Sequence, residues 1–431
     1  MDVLVIGTGE YVTGVTEGTA STSDKAIGVV GICLFHLRTR GKVGRILLAG
    51  RNGMRFPTIR QHFTDHMASV YRNLDVEMET WPEDHEYDET AYRQALASLE
   101  PGSAVIVVTP DDTHFSIALE AIEAGMHVLI AKPLVKTLAE HRTLMAAAQT
   151  RGRLLMQEVH KRFDPIYADA RDRARRLGDC SFMSSYMSQP KKQLETFRAW
   201  AGRASDISYY LNAHHIDFHA WIMQGRGRPL TVTAMGADGI AKNTLGTATE
   251  DTITLSVQWE NLPSGNQGMG SYTASWIAPE SDVHSQQRFF YLGHRGEIRV
   301  DQAHRGYSIA MDGVGPRSVN PLFMKYEPTD GEFAGQHGYG YRSIEAFIDA
   351  AGAITEGRAM PEDFDGSLPT AAGALQGTAI LEAGRRSLDN DNLPVTFLYQ
   401  SRQSLDPIGM EINDRSAVAV QPRRRGSESG G

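Results

Sequence analysis

In the first third of the chain, short apolar runs alternate with longer stretches in which apolar residues recur every three or four positions. Val3-Leu-Val-Ile6, Arg45-Ile-Leu-Leu-Ala49, Asp75 to Thr80, Ala104 to Val108, His127 to Ile130 and Leu154-Leu-Met-Gln-Glu158 read as strands. Runs of this kind, rich in branched residues and bounded by turn signals, belong to strands covered on both faces of a parallel sheet. Between them, Ile27, Val30, Gly31, Leu34 and Leu37 form a helical stripe with an N-cap at Ser23 or Asp24 and an end near Gly41. Ile59 to Leu74, Asp88 to Leu99, Thr113 to Ala124 and Leu138 to Thr150 predict further helices. This alternation implies a doubly wound parallel sheet over residues 1–152.

The pattern then changes. After one amphipathic helix (Ile166 to Leu177), strand-like runs follow at Cys180 to Met187, Leu230 to Met235, Thr252 to Trp259, Gly270 to Ile277, Arg288 to Leu292 and Gly296 to Asp301. Long strands of this kind after a βα half predict an α+β domain over residues 153–400, with a large, mostly antiparallel, open-faced sheet. Helices at Tyr341 to Ile354 and Ala371 to Ser387 are expected to close that domain. Trp259, Tyr272, Trp276, Phe289 and Tyr291 are expected on its outer face, divided between packing on helices and meeting a partner subunit. Residues 401–431 read as a disordered tail.

Composition adds mainly exclusions. A chain of 431 residues exceeds one compact core, in keeping with two domains. No apolar run approaches the ~18 residues of a membrane helix. The net charge of −9 argues against nucleic acid, and the one basic run, Arg423-Arg-Arg425, lies in the expected tail. Two cysteines, Cys33 and Cys180, are too few for a disulfide framework. With Met1 leading straight into the first strand, the expectation is a soluble cytoplasmic protein.

Candidate chemistry gathers where the strands end. Gly7-Thr8-Gly9-Glu10-Tyr11 follows the first strand as a dinucleotide-binding turn would, although Val12 stands where a third glycine is usual and Gly14 comes two later. The polar stretch Gly18 to Asp24 makes the following loop long, and the next helix delayed. Arg51-Asn52 ends the second strand. A carboxylate there would hold the ribose of NAD, whereas arginine suits the 2′-phosphate, so NADP is favoured over NAD. Lys132-Pro133 ends the fifth strand, where open α/β sheets bind ligands.

Together the pieces resemble the Gfo/Idh/MocA family of NAD(P)-dependent oxidoreductases. The likeness is carried by Gly7-x-Gly9, Thr109-Pro110 with His114, Ala124-Gly-Met-His-Val-Leu-Ile-Ala-Lys132-Pro133, His160-Lys-Arg-Phe-Asp-Pro165, His214-His-Ile-Asp217 with Trp221, and Gly293 to Asp301. The resemblance implies a Rossmann-type first domain, a sugar, polyol or cyclitol substrate, and a homo-oligomer formed through the second sheet. It also implies cofactor contacts from Gly7, Thr8, Gly9, Glu10, Tyr11, Arg51, Asn52, Thr109, Pro110, His114, Lys132 and Pro133. Two positions depart from the family: Ala131 stands where its Glu-Lys-Pro has glutamate, and Tyr210 where its Asp-x-x-x-His has aspartate.

Oxidising a secondary alcohol needs a proton acceptor and a group to oppose the alkoxide charge. His214 fits the first role and Lys132 the second, with Tyr210, one helical turn before His214, facing the same pocket. His215, adjacent to His214, points elsewhere on a helix. His160, Lys161, His215 and Trp200 are expected on the substrate side, and Asp217 is expected to cap or pair within the domain. His215 and His219 share the i, i+4 spacing of a zinc pair, but no third ligand is identifiable, and no metal is assigned. Two other readings stand: a redox-assisted glycoside-cleaving enzyme with a tightly held cofactor, and a non-catalytic nucleotide-binding homologue.

Overall fold

The computed structural model describes residues 1–16, 18–20, 25–283, 285–313 and 315–413. Ser23 and Asp24, read above as an N-cap, and the tail from residue 414 lie outside them. The first sheet has six parallel strands: β1 (Val3–Ile6), β2 (Ile46–Ala49), β3 (Glu79–Trp81), β4 (Ala104–Val107), β5 (His127–Ala131) and β6 (Leu155–Glu158). Their order is β3-β2-β1-β4-β5-β6, the doubly wound arrangement that the β-α alternation predicts. Because β6 is hydrogen-bonded to β5, the sheet extends past the boundary drawn at residue 152.

Alternate residues of each strand serve the two faces, as the pleat requires. Val3, Val5, Ile46, Leu48, Ile106 and Met156 pack on the side of helix Val30–Thr39, while Leu4, Ile6, Leu47, Val105, Val107 and Ile130 pack on the side of helices His114–Glu123 and Leu138–Arg151. The expectation that helix Tyr339–Thr355 closes the second domain is corrected by its contacts. Its Tyr341, Ile344, Phe347 and Ile348 belong to the first sheet's core, and Glu345 and Asp349 pair with Lys42 at 2.8 and 2.7 Å. Its apolar stripe repeats with helical period, but a stripe does not say which sheet it meets.

The loop after β1 also differs from expectation. A helix does start at once, as the single turn Glu10–Thr13, and stops where Gly14 turns left-handed at φ 76°. The pairs Val15–Thr16 and Thr19–Ala20 then form a short ribbon before helix Val30–Thr39. Close approach to the Val12 backbone is supplied from the next helix and the turn before it: a Cβ on Gly28 or Gly31 would sit 2.8 or 3.0 Å from the Val12 carbonyl oxygen. Val12 is therefore tolerated where a glycine was expected.

The second sheet has eight strands: β7 (Cys180–Pro190), β8 (Gly227–Ala237), β9 (Thr252–Asn261), β10 (Gln267–Ala278), β11 (Gln286–Gly293), β12 (Gly296–Asp301), β13 (Val395–Leu398) and β14 (Gly409–Ile412). Their order is β12-β11-β7-β10-β9-β8-β13-β14, antiparallel except for the central β7·β10 pair. β14 corrects the expected start of the tail: four residues paired only on one side carry too little apolar pattern to stand out. A second correction concerns the aromatics. Trp259, Tyr272, Trp276, Phe289 and Tyr291 all face inward, buried against helices Pro165–Ala174, Ala213–Met223 and Ala371–Leu388. The opposite face mixes hydroxyl pairs, Thr254–Thr273 and Thr252–Ser275 at 2.9 Å, with the partly exposed Phe182, Tyr186, Met269 and Phe290. Among the described residues no helix is long and apolar enough to cross a membrane.

Helix Tyr339–Thr355 should therefore stabilise the half built on the first sheet. Phe347→Ala removes a fully buried ring from the first sheet's core; an expected loss of about 3–5 kcal/mol would appear in urea unfolding followed by circular dichroism.

Candidate active site

The carboxyl ends of β1, β4, β5 and β6 bring the glycine turn, Thr109, Lys132 and Glu158 to one edge of the first sheet. Gly7 has φ 120°, and a Cβ there would fall 2.0 Å from the Val108 carbonyl oxygen, so only glycine fits. A Cβ on Gly9 would meet nothing within 4 Å, which leaves its backbone open to an approaching group. The donor set and that open backbone fit a dinucleotide phosphate. Glu10 and Tyr11 lie in the one-turn helix beyond. Arg55, which sequence reading missed, reaches the Thr8 hydroxyl at 3.4 Å.

Arg51 is exposed at the end of β2, while the Asn52 side chain accepts from the Met54 amide at 3.1 Å and so caps the next turn. Thr109 and Pro110 are fixed through His114, whose Nδ1 and Nε2 lie 2.9 Å from the carbonyls of Pro133 and Thr109. His114, expected as a cofactor contact, thus ties the turn after β4 to the one after β5.

Lys132 is the centre of the site. Its ammonium donates to the Tyr210 carbonyl oxygen and lies 4.1 Å from the centroid of the Tyr210 ring. Burial brings its pKa down to about 7, against the upward pull of Asp111 and Glu158 and with a further downward push from Lys25. Tyr210 belongs to the π-helical turn Ser208–Asn212, which runs into helix Ala213–Met223. Its ring packs 5.0 Å from Trp200 and 5.2 Å from Phe197, so Trp200 flanks Lys132 through Tyr210. The nearest carboxylate upstream, Asp206, is used elsewhere, accepting from the amides of Ser208 and Tyr209 and pairing with Arg385 at 3.3 Å.

The two adjacent histidines part as expected. His214 is buried, with Nδ1 lacking a hydrogen-bond partner. Burial, followed by Lys132, His160, Lys161 and His215, holds it well below the usual imidazole range. His215 points into the second domain's core, its Nε2 2.9 Å from the Tyr167 hydroxyl, and burial and Lys161 bring it to about 3. His215 therefore does not share the pocket with His214.

Lys161 is likewise drawn inward: it donates to Gln287 and, at 3.1 Å, to Gln302, over the Tyr167 ring, with burial bringing it to about 8 against Asp164. Asp217 pairs within the domain as expected, with Arg162 at 2.7 Å. His219 meets Tyr272 at 2.6 Å and Cys180 at 3.3 Å, away from His215's partner. Among the described residues no cluster of three or more potential ligands is suited to a metal.

His160 does join the site. Its ring centroid is 5.3 Å from those of His214 and Phe323 and 5.5 Å from that of Tyr339. Its Nδ1 lies 3.4 Å from Glu158, a residue the sequence reading left in its strand. Glu158 is the register partner of Ala131, so a carboxylate is present beside the lysine from the neighbouring strand. Burial opposes its charge, but His160, the Ser343 hydroxyl and Lys132 together hold the carboxyl below its ordinary value. A charged residue ending an otherwise apolar strand was the available signal, the same one that singled out Lys132.

A protein-family model described as an oxidoreductase family with an NAD-binding Rossmann fold, GFO_IDH_MocA, matches residues 46–159. The chain is 33% identical over 116 residues to the uncharacterised oxidoreductase YdgJ of Escherichia coli, which is 26% of this chain and 34% of that protein. It is 37% identical over 75 residues to the NAD+-dependent scyllo-inositol 2-dehydrogenase of Bacillus subtilis, 17% of this chain and 22% of that protein. The chain thus matches about a third or less of these relatives' length. Among solved structures it is similar to GenD2 from gentamicin A biosynthesis in complex with NAD, with a TM-score of 0.65 at 20% identity, covering 93% of this chain and 97% of that one. It is also similar to scyllo-inositol dehydrogenase from Lactobacillus casei with bound NAD(H) and scyllo-inositol, with a TM-score of 0.57 at 15% identity, covering 92% and 98%. Over nearly its whole length the chain shares the fold of these solved structures. Within residues 46–159 the chain is similar to the NAD-binding Rossmann fold of the Gfo/Idh/MocA oxidoreductases.

The lowered pKa of Lys132 sets a pH dependence. Between about 7 and the ordinary value of 10.5, the unfolded chain binds a proton that the folded one does not, so stability rises with pH across that window. Lys132→Met removes this term. The variant's advantage in melting temperature over the wild type should be largest near pH 7 and shrink toward pH 10.

Proposed function

We propose that the protein is an NAD(P)-dependent oxidoreductase that moves a hydride between the nicotinamide and a secondary hydroxyl or keto group of a sugar, sugar derivative or cyclitol. The observation that carries this reading is the meeting of Lys132, His214 and His160 at the sheet edge that also holds the open Gly7–Gly9 turn. Relatives named as an inositol dehydrogenase and a UDP-N-acetylglucosamine 3-dehydrogenase support the substrate class.

When bound, the oxidised nicotinamide supplies the hydride acceptor. The turn Gly7–Tyr11 takes the phosphates, and Thr109, Pro110, His114 and Pro133 shape the wall beside them. Arg51, exposed at the end of β2, favours NADP over NAD in this reading. Lys132 hydrogen-bonds the reacting oxygen and opposes the charge that develops as its proton leaves. An ammonium poised near pH 7 suits that work, because it trades its proton at little cost. One imidazole of the packed His160–His214 pair accepts the proton. Tyr210 fixes Lys132 through its carbonyl and ring, and Trp200 fixes Tyr210. The outer face of the second sheet, with its hydroxyl pairs and the rings of Phe182, Tyr186 and Phe290, is the surface through which copies of the chain would associate.

A panel of cyclitols, sugars and nucleotide sugars with either nucleotide, followed by the nicotinamide's absorbance, tests this. Reduction of nucleotide by the wild type and a fall of about 100-fold or more in kcat for Lys132→Met are expected. Turnover with a co-purifying nucleotide and none added would select the redox-assisted glycoside cleavage instead. No turnover under either condition, with nucleotide still bound, would select the non-catalytic homologue.

A further inference from the structure

We infer that His160, held by Glu158, is the imidazole that exchanges the substrate's proton, and that His214 beside it serves as a neutral wall. The inference rests on the oxidoreductase reading above and concerns which of its two histidines performs it.

Glu158 is buried, and its two oxygens are separately engaged. Oε1 accepts from the Ser343 hydroxyl at 2.6 Å, while Oε2 lies 3.4 Å from His160 Nδ1. An ionised carboxylate only accepts, so the shared proton sits on Nδ1. That tautomer leaves the Nε2 lone pair free to take a proton from a hydroxyl.

The rest of the surroundings fix the ring in place. His160 stacks on Tyr339 from helix Tyr339–Thr355, with the ring planes 22° apart, and meets Phe323 on another side. Its side chain keeps 17% exposure, whereas His214 keeps 5% overall. The open ring is therefore the one that carries the carboxylate.

Charge makes the same choice. The titratable or charged groups facing the histidines and Glu158 are His214 and His215 from helix Ala213–Met223, Tyr339 from its helix, Lys132 and Lys161, and Tyr11, which interacts with Glu158. A proton arriving on His160 is met directly by the Glu158 carboxylate. One arriving on His214 meets the field of two lysines, with its Nδ1 buried and unpartnered. In the forward direction the alcohol's O–H proton would pass to His160 Nε2, and a bound oxidised nicotinamide would accept the hydride from the carbon bearing that hydroxyl, leaving the ketone. The imidazolium, offset by Glu158, then returns its proton to water.

Ring-nitrogen NMR of the nucleotide-free protein with 15N-labelled histidine reads the pair without turnover. The wild type is expected to show His160 as the Nδ1–H tautomer, and Glu158→Gln to weaken that preference in favour of the Nε2–H form. In the absorbance assay, His160→Asn should lower kcat by about 100-fold with KM little changed, and added imidazole should restore part of the rate of His160→Ala. His214→Asn should act more on KM than on kcat. An Nε2–H tautomer at His160, or a kcat loss and imidazole rescue that follow His214, overturns the assignment. A wild type inactive on every substrate overturns the oxidoreductase reading and the catalytic role with it, and the spectrum still decides whether Glu158 holds His160.

Discussion

A single ammonium, drawn from the first domain into the second, is the interaction on which the site depends. Lys132 leaves the edge of a parallel sheet and is received by a backbone carbonyl and an aromatic face, both belonging to Tyr210. A half-buried cation needs such partners, since desolvation disfavours its charged form. Burial brings the lysine to about 7, and the more distant Asp111 and Glu158 offset that only in part. A directly paired carboxylate would have done the opposite.

The arrangement of neighbours follows from that choice. Asp206 could have approached from the turn before Tyr210, but it caps the π-helical turn and pairs with Arg385. The carboxylate that does arrive is Glu158, carried by the adjacent strand in register with Ala131. Parallel register aligns residues far apart in sequence on one face, so a missing side chain on one strand is answered from the next. Glu158 is steadied in turn by Ser343 on a helix that comes from the second half of the chain yet packs on the first sheet. The site, the sheet edge and that returning helix therefore depend on one another.

The histidines show how finely a helix divides roles. His214 and His215 are neighbours in sequence, but one faces two lysines and another imidazole, while the other bonds Tyr167 in the core. The hundred-degree step between successive helical residues is the reason. Lys161, expected on the substrate side, is consumed by Gln287 and Gln302, because a buried ammonium takes whatever acceptors surround it.

By itself, the sequence determined the parallel sheet, its strand ends, the glycine turn and Lys132. These are local patterns: apolar runs of strand length, a turn that admits only glycine at Gly7, and a charge at a strand's end. It also separated His214 from His215 by helical geometry alone. Only the tertiary structure decided which sheet helix Tyr339–Thr355 covers, that Trp259, Tyr272, Trp276, Phe289 and Tyr291 of the second sheet all face inward, and that Gly409–Ile412 joins its edge. It alone brought Glu158 and Tyr339 to His160. Each of these rests on pairing between segments far apart in the chain, and a pattern of apolar positions states that a face is buried without naming what buries it.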